Sequence, residues 1–299
     1  MHTQFTNKDI DLCSKILRWF NYIGAKKSDM TFIIAYNKGR IDDIESDIRK
    51  HLKLFSQKIG RRKTDRNKYP TFAIQVNGKV FRILLEKIMK TSLGYIKKKS
   101  KLRRAWLRGY FAAEGCVAYH STERYLASVS FAYNPKTEVW LRNYCLELLK
   151  LEGIKSQISI RHENSNGSVI ITNWKNYYQL WKIGLFDGCE RKKQKFESII
   201  KHVRISCHLD NEFRRKLFSG INQYELAKIL NTYQASISNI VNGTERNMWP
   251  TVEQIRKICE IKGVSLDELK ENVIDVRFGT LTHLDPNEEL LNDIFRIKA

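Results

Sequence analysis

Residues that break or crosslink a fold are scarce in this chain, and long apolar runs are missing. The 299 residues include 4 Pro, 15 Gly and 6 Cys, which excludes a collagen-like or low-complexity protein. No uncharged apolar run approaches the roughly 18 residues that a membrane-spanning helix needs. The first residues also lack the basic and apolar pattern of a secretory signal. We therefore expect a folded protein of the reducing cytoplasm that does not use a membrane.

The cysteines are scattered, and no two of them form a C-x-x-C pair. The common zinc-binding spacings are therefore absent. His202, Cys207 and His208 are close in sequence, and two interpretations stay open for them. They either hold a metal ion or are a buried thiol with two surface histidines, and the second interpretation is favoured.

Positive charge is in excess, and the excess is confined to the first two thirds of the chain. The formal net charge is +21, with +22 in residues 1–210 and −1 in residues 211–299. Three basic runs contribute to it, at 58–63, 97–104 and 191–195. A positive field of this size attracts a polyanion and releases counterions from it. The charge favours double-stranded DNA as partner and a place at the nucleoid; a solvated basic surface is the alternative.

An internal repeat indicates the organisation of this basic part. Residues 31–90 resemble residues 128–187 at a constant offset of 97, and both copies have the pattern of strand, helix, two strands, helix. The sequence therefore predicts an α+β fold. The predicted domains are two pseudo-symmetric repeats at 1–98 and 99–200, a linker at 201–219, a small all-α helical domain at 220–276 and a C-terminal tail at 277–299.

The second copy predicts a sheet with a polar outer face. Within residues 154–162, Ile154, Ile158 and Ile160 alternate with polar residues, which predicts a strand with one buried side. The polar side would carry Lys155, Gln157, Ser159 and Arg161, and we add Arg61, Arg62 and Lys63 from the first copy as candidate DNA contacts. Such a sheet can enter the major groove; the alternative is an ordinary α+β domain with a solvated sheet face.

Residues 107–115, LRGYFAAEG, predict a helix that ends at Gly115. Its small residues, Gly109 among them, would let another helix approach closely. Glu114 would lie at the helix end, where a carboxylate can bind a divalent cation. Two such cations would hold a phosphodiester for in-line hydrolysis.

This stretch resembles the LAGLIDADG motif of homing endonucleases, and the resemblance extends over about residues 5–200. The resemblance implies αββαββα repeats that form a DNA-binding saddle, with two motif helices packed at the centre. It also implies a Mg²⁺-dependent site with one acid from each motif and cleavage of a long DNA site, often in an intron or intein context. Glu114 matches the catalytic and metal-binding acid, and Gly109 and Gly115 match the helix-packing and capping glycines.

The first copy departs from the family's motif. The offset of 97 places Leu17 where the second copy has Glu114. Asp9 and Asp11 are the upstream acids, and Asp11 is our second catalytic candidate; if the helix instead covers residues 17–24, Ile23 or Gly24 replaces the acid. One carboxylate is therefore missing or displaced. A homing-type endonuclease is preferred and a nickase fits the single acid, while a non-cutting transcription regulator and an intron RNA maturase stay open.

Residues 221–243 predict two short helices joined at residues 231–233. With the helical patterns that follow, the segment is similar to the Cro/lambda-repressor type of helix-turn-helix domain. The resemblance implies a recognition helix at 234–242 in the major groove, with Gln234, Ser236 and Asn239 reading bases. The alternative is a helical bundle for protein contacts. Because the repeat supplies its own pseudo-partner, we expect a monomer.

Overall fold

The computed structural model describes residues 2–37, 41–64, 69–120, 125–160, 167–242, 249–279 and 282–297. The fold is mixed α+β, as predicted. The first part contains β1 (His2–Asn7), α1 (Ile10–Tyr22), β2 (Met30–Tyr36), α2 (Ile41–Leu52), β3 (Ile59–Lys63), β4 (Thr71–Asn77) and α3 (Lys79–Lys98). The middle part contains α4 (Ser100–Glu114), β5 (Gly115–His120), β6 (Tyr125–Tyr133), α5 (Val139–Leu151), β7 (Gln157–Ile160), β8 (Gly167–Ile171), α6 (Trp174–Lys182), a 3-10 turn (Leu185–Gly188) and α7 (Glu190–His202). The last part contains β9 (Ile205–Leu209), α8 (Asn211–Phe218), α9 (Gln223–Ile229), α10 (Gln234–Asn242), α11 (Val252–Lys262), α12 (Leu266–Glu271), β10 (Val273–Phe278), β11 (Thr282–Leu284) and α13 (Glu288–Ile297).

The first sheet has the strand order β1-β4-β2-β3. β4 is antiparallel to both β1 and β2, whereas β3 runs parallel to β2. The parallel pair follows from the connection through α2, because parallel neighbours need a crossover. Alternate residues on the central strands, such as Phe32, Ile34, Phe72 and Ile74, are buried against the helices.

The middle part has a four-stranded sheet of different order, β5-β6-β8-β7. The order of elements in residues 31–90 does recur in residues 128–187. The edge strands differ, however, because β3 pairs with β2 while β7 lies beside β8, and β1 precedes its helix while β5 follows α4. The first part is therefore βαβαββα, and the predicted αββαββα pattern for it was wrong. Hydrophobic periodicity specifies the elements but not which strands pair, and pairing decides the topology.

The C-terminal part surrounds the three-stranded sheet β11-β10-β9. Its core includes Cys207 from β9, Phe213 from α8, Val276 from β10 and Ile294 from α13. Residues 201–219, predicted as a linker, thus hold a buried strand and a helix that Asp210 caps. The predicted tail at 277–299 likewise contributes to the core, so its packing corrects that prediction.

Two compact units make up the chain. One comprises Met1–Cys116, Ser130–Val169 and Leu180–Lys193, and the other comprises Val117–Val129, Ile170–Gln179 and Gln194–Ala299. Neither unit ends at residue 98 or residue 200, where the sequence places boundaries. Among the helices in the described ranges, none is both long enough and apolar enough to span a bilayer.

Candidate nucleic-acid interface and carboxylate site

Glu114 is the last residue of α4, and its side chain is exposed. The helix is fixed by Leu107, Phe111 and Ala112, which are buried at helical spacing. The Phe111 ring makes edge contacts with Phe131 and Phe186, whose centroids are 5.5 and 5.3 Å away. The helix end that carries Glu114 is therefore anchored in an aromatic core, while the carboxylate itself is open to a ligand.

Gly115 is required by packing rather than by a left-handed backbone. Its φ of −77° is ordinary, and β5 begins at this residue. A Cβ atom at Gly115 would overlap the ring and the carbonyl oxygen of Phe111. The predicted C-cap position is thus correct, but its cause is the close passage of the strand past Phe111.

Gly109 does not serve close helix packing. A Cβ atom at this position would have no neighbour within 4 Å among the described residues. The close approach to α4 is made from the other side by Gly188, whose added Cβ would lie 2.9 Å from the Arg108 carbonyl and 3.2 Å from the Ala112 Cβ. The helix-packing role predicted for Gly109 was wrong, and Gly188 holds that role in the structure.

Lys192 is a buried cation at the same helix end, with an exposed fraction of 6%. Its Nζ donates to the carbonyl oxygens of Phe111 at 2.6 Å and Ala112 at 2.8 Å in the last turn of α4, where the Phe111 oxygen also accepts from the Gly115 amide. Burial lowers the pKa of Lys192, while the nearby Glu114 carboxylate favours its charged form. Sequence reasoning missed this residue. Its spacing from the buried Cys189 and Phe196 on a helical face was the available signal.

The predicted acids of the first copy lie at the start of α1. The Asp9 carboxylate caps the helix by accepting from the Leu12 amide at 3.3 Å, and it also accepts from the Cys189 thiol at 3.0 Å. Asp11 Oδ1 lies 2.8 Å from Nε2 of His51 on α2. Leu12 packs with Ala112 and Cys189, so α1 does reach α4. The Asp11 carboxylate, however, lies on the side of α1 that faces α2, where it pairs with His51.

The acidic side chains of the candidate site do not form a Mg²⁺ centre by themselves. Within the described ranges, no group of three or more His, Cys, Asp and Glu side chains is placed to hold a metal ion. Glu114 is a single carboxylate that interacts electrostatically with the buried Lys192, and the two-ion arrangement needs carboxylates from two motifs. The second candidate metal cluster, His202, Cys207 and His208, does not form such a group either. The Cys207 side chain is fully buried, and the His208 ring stacks on Trp249 with centroids 4.9 Å apart.

The outer face of the first sheet carries hydrogen-bonding side chains that sequence reasoning missed. Gln4 lies opposite Gln75, and the Gln75 amide donates to Gln4 Oε1 at 2.7 Å. Asn77 donates to the Thr31 hydroxyl at 3.0 Å. We name Gln4, Thr31, Gln75 and Asn77 the amide face. The alternation in residues 2–7 could have indicated β1, but only the strand order brings it beside β4.

The basic run on β3 divides between the two sides of this sheet. Arg61 pairs in register with the buried Ile34, on the side covered by α2, and it bonds to Asp42 at 2.7 Å and Glu45 at 2.9 Å. These ion pairs occupy Arg61, but its side chain is 45% exposed, so its contact with DNA stays a prediction. Arg62 lies on the side of the amide face, and both Arg62 and Lys63 are exposed.

The predicted polar face of the second sheet needs a correction. Ile158 is 47% exposed rather than buried, and Ser159 is half-buried, because β7 lies at the sheet edge. Lys155 and Gln157 are exposed, although Lys155 precedes the strand. Arg161 lies outside the described residues.

The basic run at 97–104 is partly neutralised within the fold. Glu152, with a side chain 3% exposed, bonds to Nε of Arg103 at 2.7 Å and Nε of Arg104 at 2.8 Å. Lys97 pairs with Glu147 at 2.6 Å. The Glu152 contacts fix the start of α4 to the C-terminal end of α5, and the Lys97 pair joins the end of α3 to α5. Both reduce the charge available to a partner.

In the C-terminal part, α9 and α10 are joined by a turn at residues 230–233. Gln234 begins α10 and donates from Nε2 to Oε1 of Gln223, the first residue of α9, at 2.7 Å. Gln234, Ser236 and Asn239 are half-buried on α10, and Ile237 and Ile240 are buried. Gln223 is a further residue that sequence reasoning missed.

The helix, strand pair and buried lysine described above fall in one segment that a comparison with protein families identifies. Residues 101–206 match the family model of the LAGLIDADG-like domain. This LAGLIDADG-like segment includes Gly109, Glu114, Gly115 and Lys192. No curated protein and no solved structure gives a significant match to the chain.

Proposed function

We propose that the chain is a sequence-specific binder of double-stranded DNA. The observation that carries the proposal is the amide face, a row of side-chain amides and hydroxyls on an open sheet surface in the basic part of the chain. Amides can pair with adenine through two hydrogen bonds, and a two-stranded ribbon fits the major groove. The LAGLIDADG-like segment supports the proposal, because proteins with this domain bind DNA as endonucleases or related factors.

The α9-turn-α10 pair supports a second contact with DNA. We infer that α10 enters the major groove as a recognition helix of the Cro/lambda-repressor type, with Gln234, Ser236 and Asn239 toward the bases. Gln223 would hold the Gln234 amide in place. Lys155, Gln157, Arg62 and Lys63 would contribute phosphate or base contacts.

Selection from a random duplex library with the full-length chain tests sequence-specific binding. We expect Gln75→Ala with Asn77→Ala to relax base preference at some positions of the selected site while affinity for phosphates persists. Asn143→Ala, at an exposed amide on α5, is the matched control and should leave preference unchanged. Gln234→Ala with Asn239→Ala should relax different positions. Sequence-specific recognition would be rejected if the selection enriches no site and the affinity changes with salt concentration but not with DNA sequence.

Glu114 favours a second candidate, a homing-type endonuclease or nickase. Its carboxylate is exposed at the end of α4, where the family's motif carries its acid. A divalent ion there would take further oxygen ligands from the DNA phosphates. We expect Glu114→Gln to keep DNA binding and to lose any Mg²⁺-dependent nicking of a plasmid library. Equal nicking by both proteins would remove Glu114 from the reaction, and tight binding without nicking by the wild-type chain would leave a non-cutting regulator.

A further inference from the structure

A cavity of about 570 Å³ lies in the first unit, apart from both Glu114 and the amide face. It forms where the start of α1, one face of α2, the start of β4 and the first turn of α7 meet. Small-molecule pockets commonly have volumes of roughly 300–1,000 Å³. The cavity is therefore large enough for an organic ligand, and the proposed DNA contacts do not use it.

The floor and the rim of this cavity differ in chemistry. Ile44, Ile48 and Phe72 form an apolar floor, and Ile48 and Phe72 are each 2% exposed. Two cations, Lys8 and Arg191, stand at the rim. An apolar floor with a few charged groups at one end is the usual design of a site that orients an amphipathic molecule.

Among the described lining residues, Asp9 is the carboxylate, and it is already bound within the fold. It accepts from the Leu12 amide and the Cys189 thiol. Burial alone would raise the pKa of Asp9, but these bonds and the Arg191 charge bring it below the ordinary value, so the group stays ionised. Among the described lining residues, one anion against two cations leaves a net positive charge at the rim.

The two cations have no stronger partner elsewhere. Among the described residues, neither Lys8 nor Arg191 forms an ion pair, and Lys8 Nζ rests 4.9 Å from the centroid of the exposed Tyr69 ring. A cation–π contact at an exposed site is weak. A negatively charged group that binds at this rim would therefore have to displace this weak contact and no ion pair among the described residues.

We propose that this cavity binds a small organic monocarboxylate with an apolar body. Its carboxylate pairs with Arg191 and Lys8, and its apolar body lies on Ile44, Ile48 and Phe72. A single negative charge neutralises the rim, whereas a neutral or cationic head group does not. The site would give a DNA-binding protein a second, small ligand, and the inference does not depend on DNA binding.

Calorimetric titration of the full-length chain, without DNA, tests the proposal with three probes of similar size. We expect 3-phenylpropionate to bind saturably with a Kd below about 1 mM, which is the weak range for a small ligand. The neutral 3-phenylpropionamide should bind about tenfold more weakly, because it loses the charge-assisted hydrogen bonds. The cationic 3-phenylpropylamine should not bind. Equal affinity for all three probes, or no saturation by 3-phenylpropionate at about 10 mM, would overturn the proposal.

Variants locate the binding in the cavity. Arg191→Gln should weaken binding of 3-phenylpropionate about tenfold, and Lys8→Gln, at an exposed position, should weaken it as well. Ile44→Trp, from a half-buried position, should fill the floor and abolish binding. Lys58→Gln, at an exposed lysine of the same unit outside the cavity, is the matched control. The proposal is rejected if Lys58→Gln weakens binding as much as Lys8→Gln, or if Ile44→Trp binds as the wild type does.

Discussion

Replacing Glu152 by glutamine should loosen the start of α4 and so test how the LAGLIDADG-like helix is anchored. The Glu152 side chain is 3% exposed and holds Arg103, which is 14% exposed, and Arg104, which is 44% exposed. Glutamine keeps the shape but leaves both guanidinium groups without their counter-ion. A hydrogen bond to a charged group contributes about 1.5–3 kcal/mol, and the more exposed Arg104 contributes least, so we expect a loss of about 2–3 kcal/mol.

The control for this prediction is Glu147→Gln on α5, the helix that Glu152 caps at its C-terminus. Glu147 pairs with Lys97 at 2.6 Å, but the two side chains are 47% and 37% exposed. Such a surface pair contributes about 0.5 kcal/mol or less. Urea unfolding followed by circular dichroism measures both variants. Equal losses for Glu147→Gln and Glu152→Gln would refute the argument that burial makes the Glu152 contacts the stronger ones.

The same pair of variants gives a pH test. Burial alone would raise the pKa of Glu152, but the hydrogen bonds from Arg104 and Arg103 lower it below the ordinary value of 4.5. A lowered pKa contributes stability above pH 4.5 that is lost as the pH falls and the carboxylate protonates. The difference between the wild type and Glu152→Gln should therefore shrink below that pH.

Two further predictions concern α4 in one unit and β9 in the other. Gly115→Ala should destabilise the protein by about 2 kcal/mol or more, because the new Cβ would overlap Phe111. Gly109→Ala should stabilise the protein by up to about 1 kcal/mol, because alanine has the higher helix propensity. Similar urea midpoints for the two variants would contradict this prediction. Burial lowers the pKa of His208 below 6.5, and the positive charge of Arg214 lowers it further. The wild type should therefore lose stability as the pH falls below 6.5, because the unfolded chain binds the proton more readily. A urea midpoint that does not change between pH 7.5 and 5.5 would show that His208 is not held neutral.

The sequence predicted the second copy well because its signals are local. Helix α4 ends at Glu114, strands and helices follow in the expected order, and Cys145, Leu148 and Leu149 are buried on one face of α5. Helix periodicity and a glycine-marked end need only neighbouring residues, so they can be read from the chain directly.

Features that depend on long-range pairing could not be predicted in this way. The Arg61 side chain lies on the α2 side because β3 pairs in parallel with β2, and no local pattern indicates that register. The exposure of Ile158 depends on β7 lying at an edge of its sheet. The burial of Lys192 requires the carbonyl ends of α4, which are about eighty residues away in sequence.

The candidate site was predicted in part. Glu114 and Gly115 stand where the motif places them, and the assignment of their chemistry stays a prediction. Gly109 was assigned a packing role from its small size, but smallness does not say which side of the helix another segment approaches. Gly188, which makes that approach, lies in a short turn with no motif of its own.

The bond between Gln223 and Gln234 restricts a long side chain before any ligand arrives. A free glutamine loses rotamer entropy when it is immobilised at an interface, about 0.5–1.5 kcal/mol for a side chain of this kind. Because the Gln234 amide is held at 2.7 Å by Gln223, part of that loss is incurred during folding instead. The first turn of α10 therefore presents a fixed amide, and any molecule that pairs with it meets a surface whose shape is set in advance.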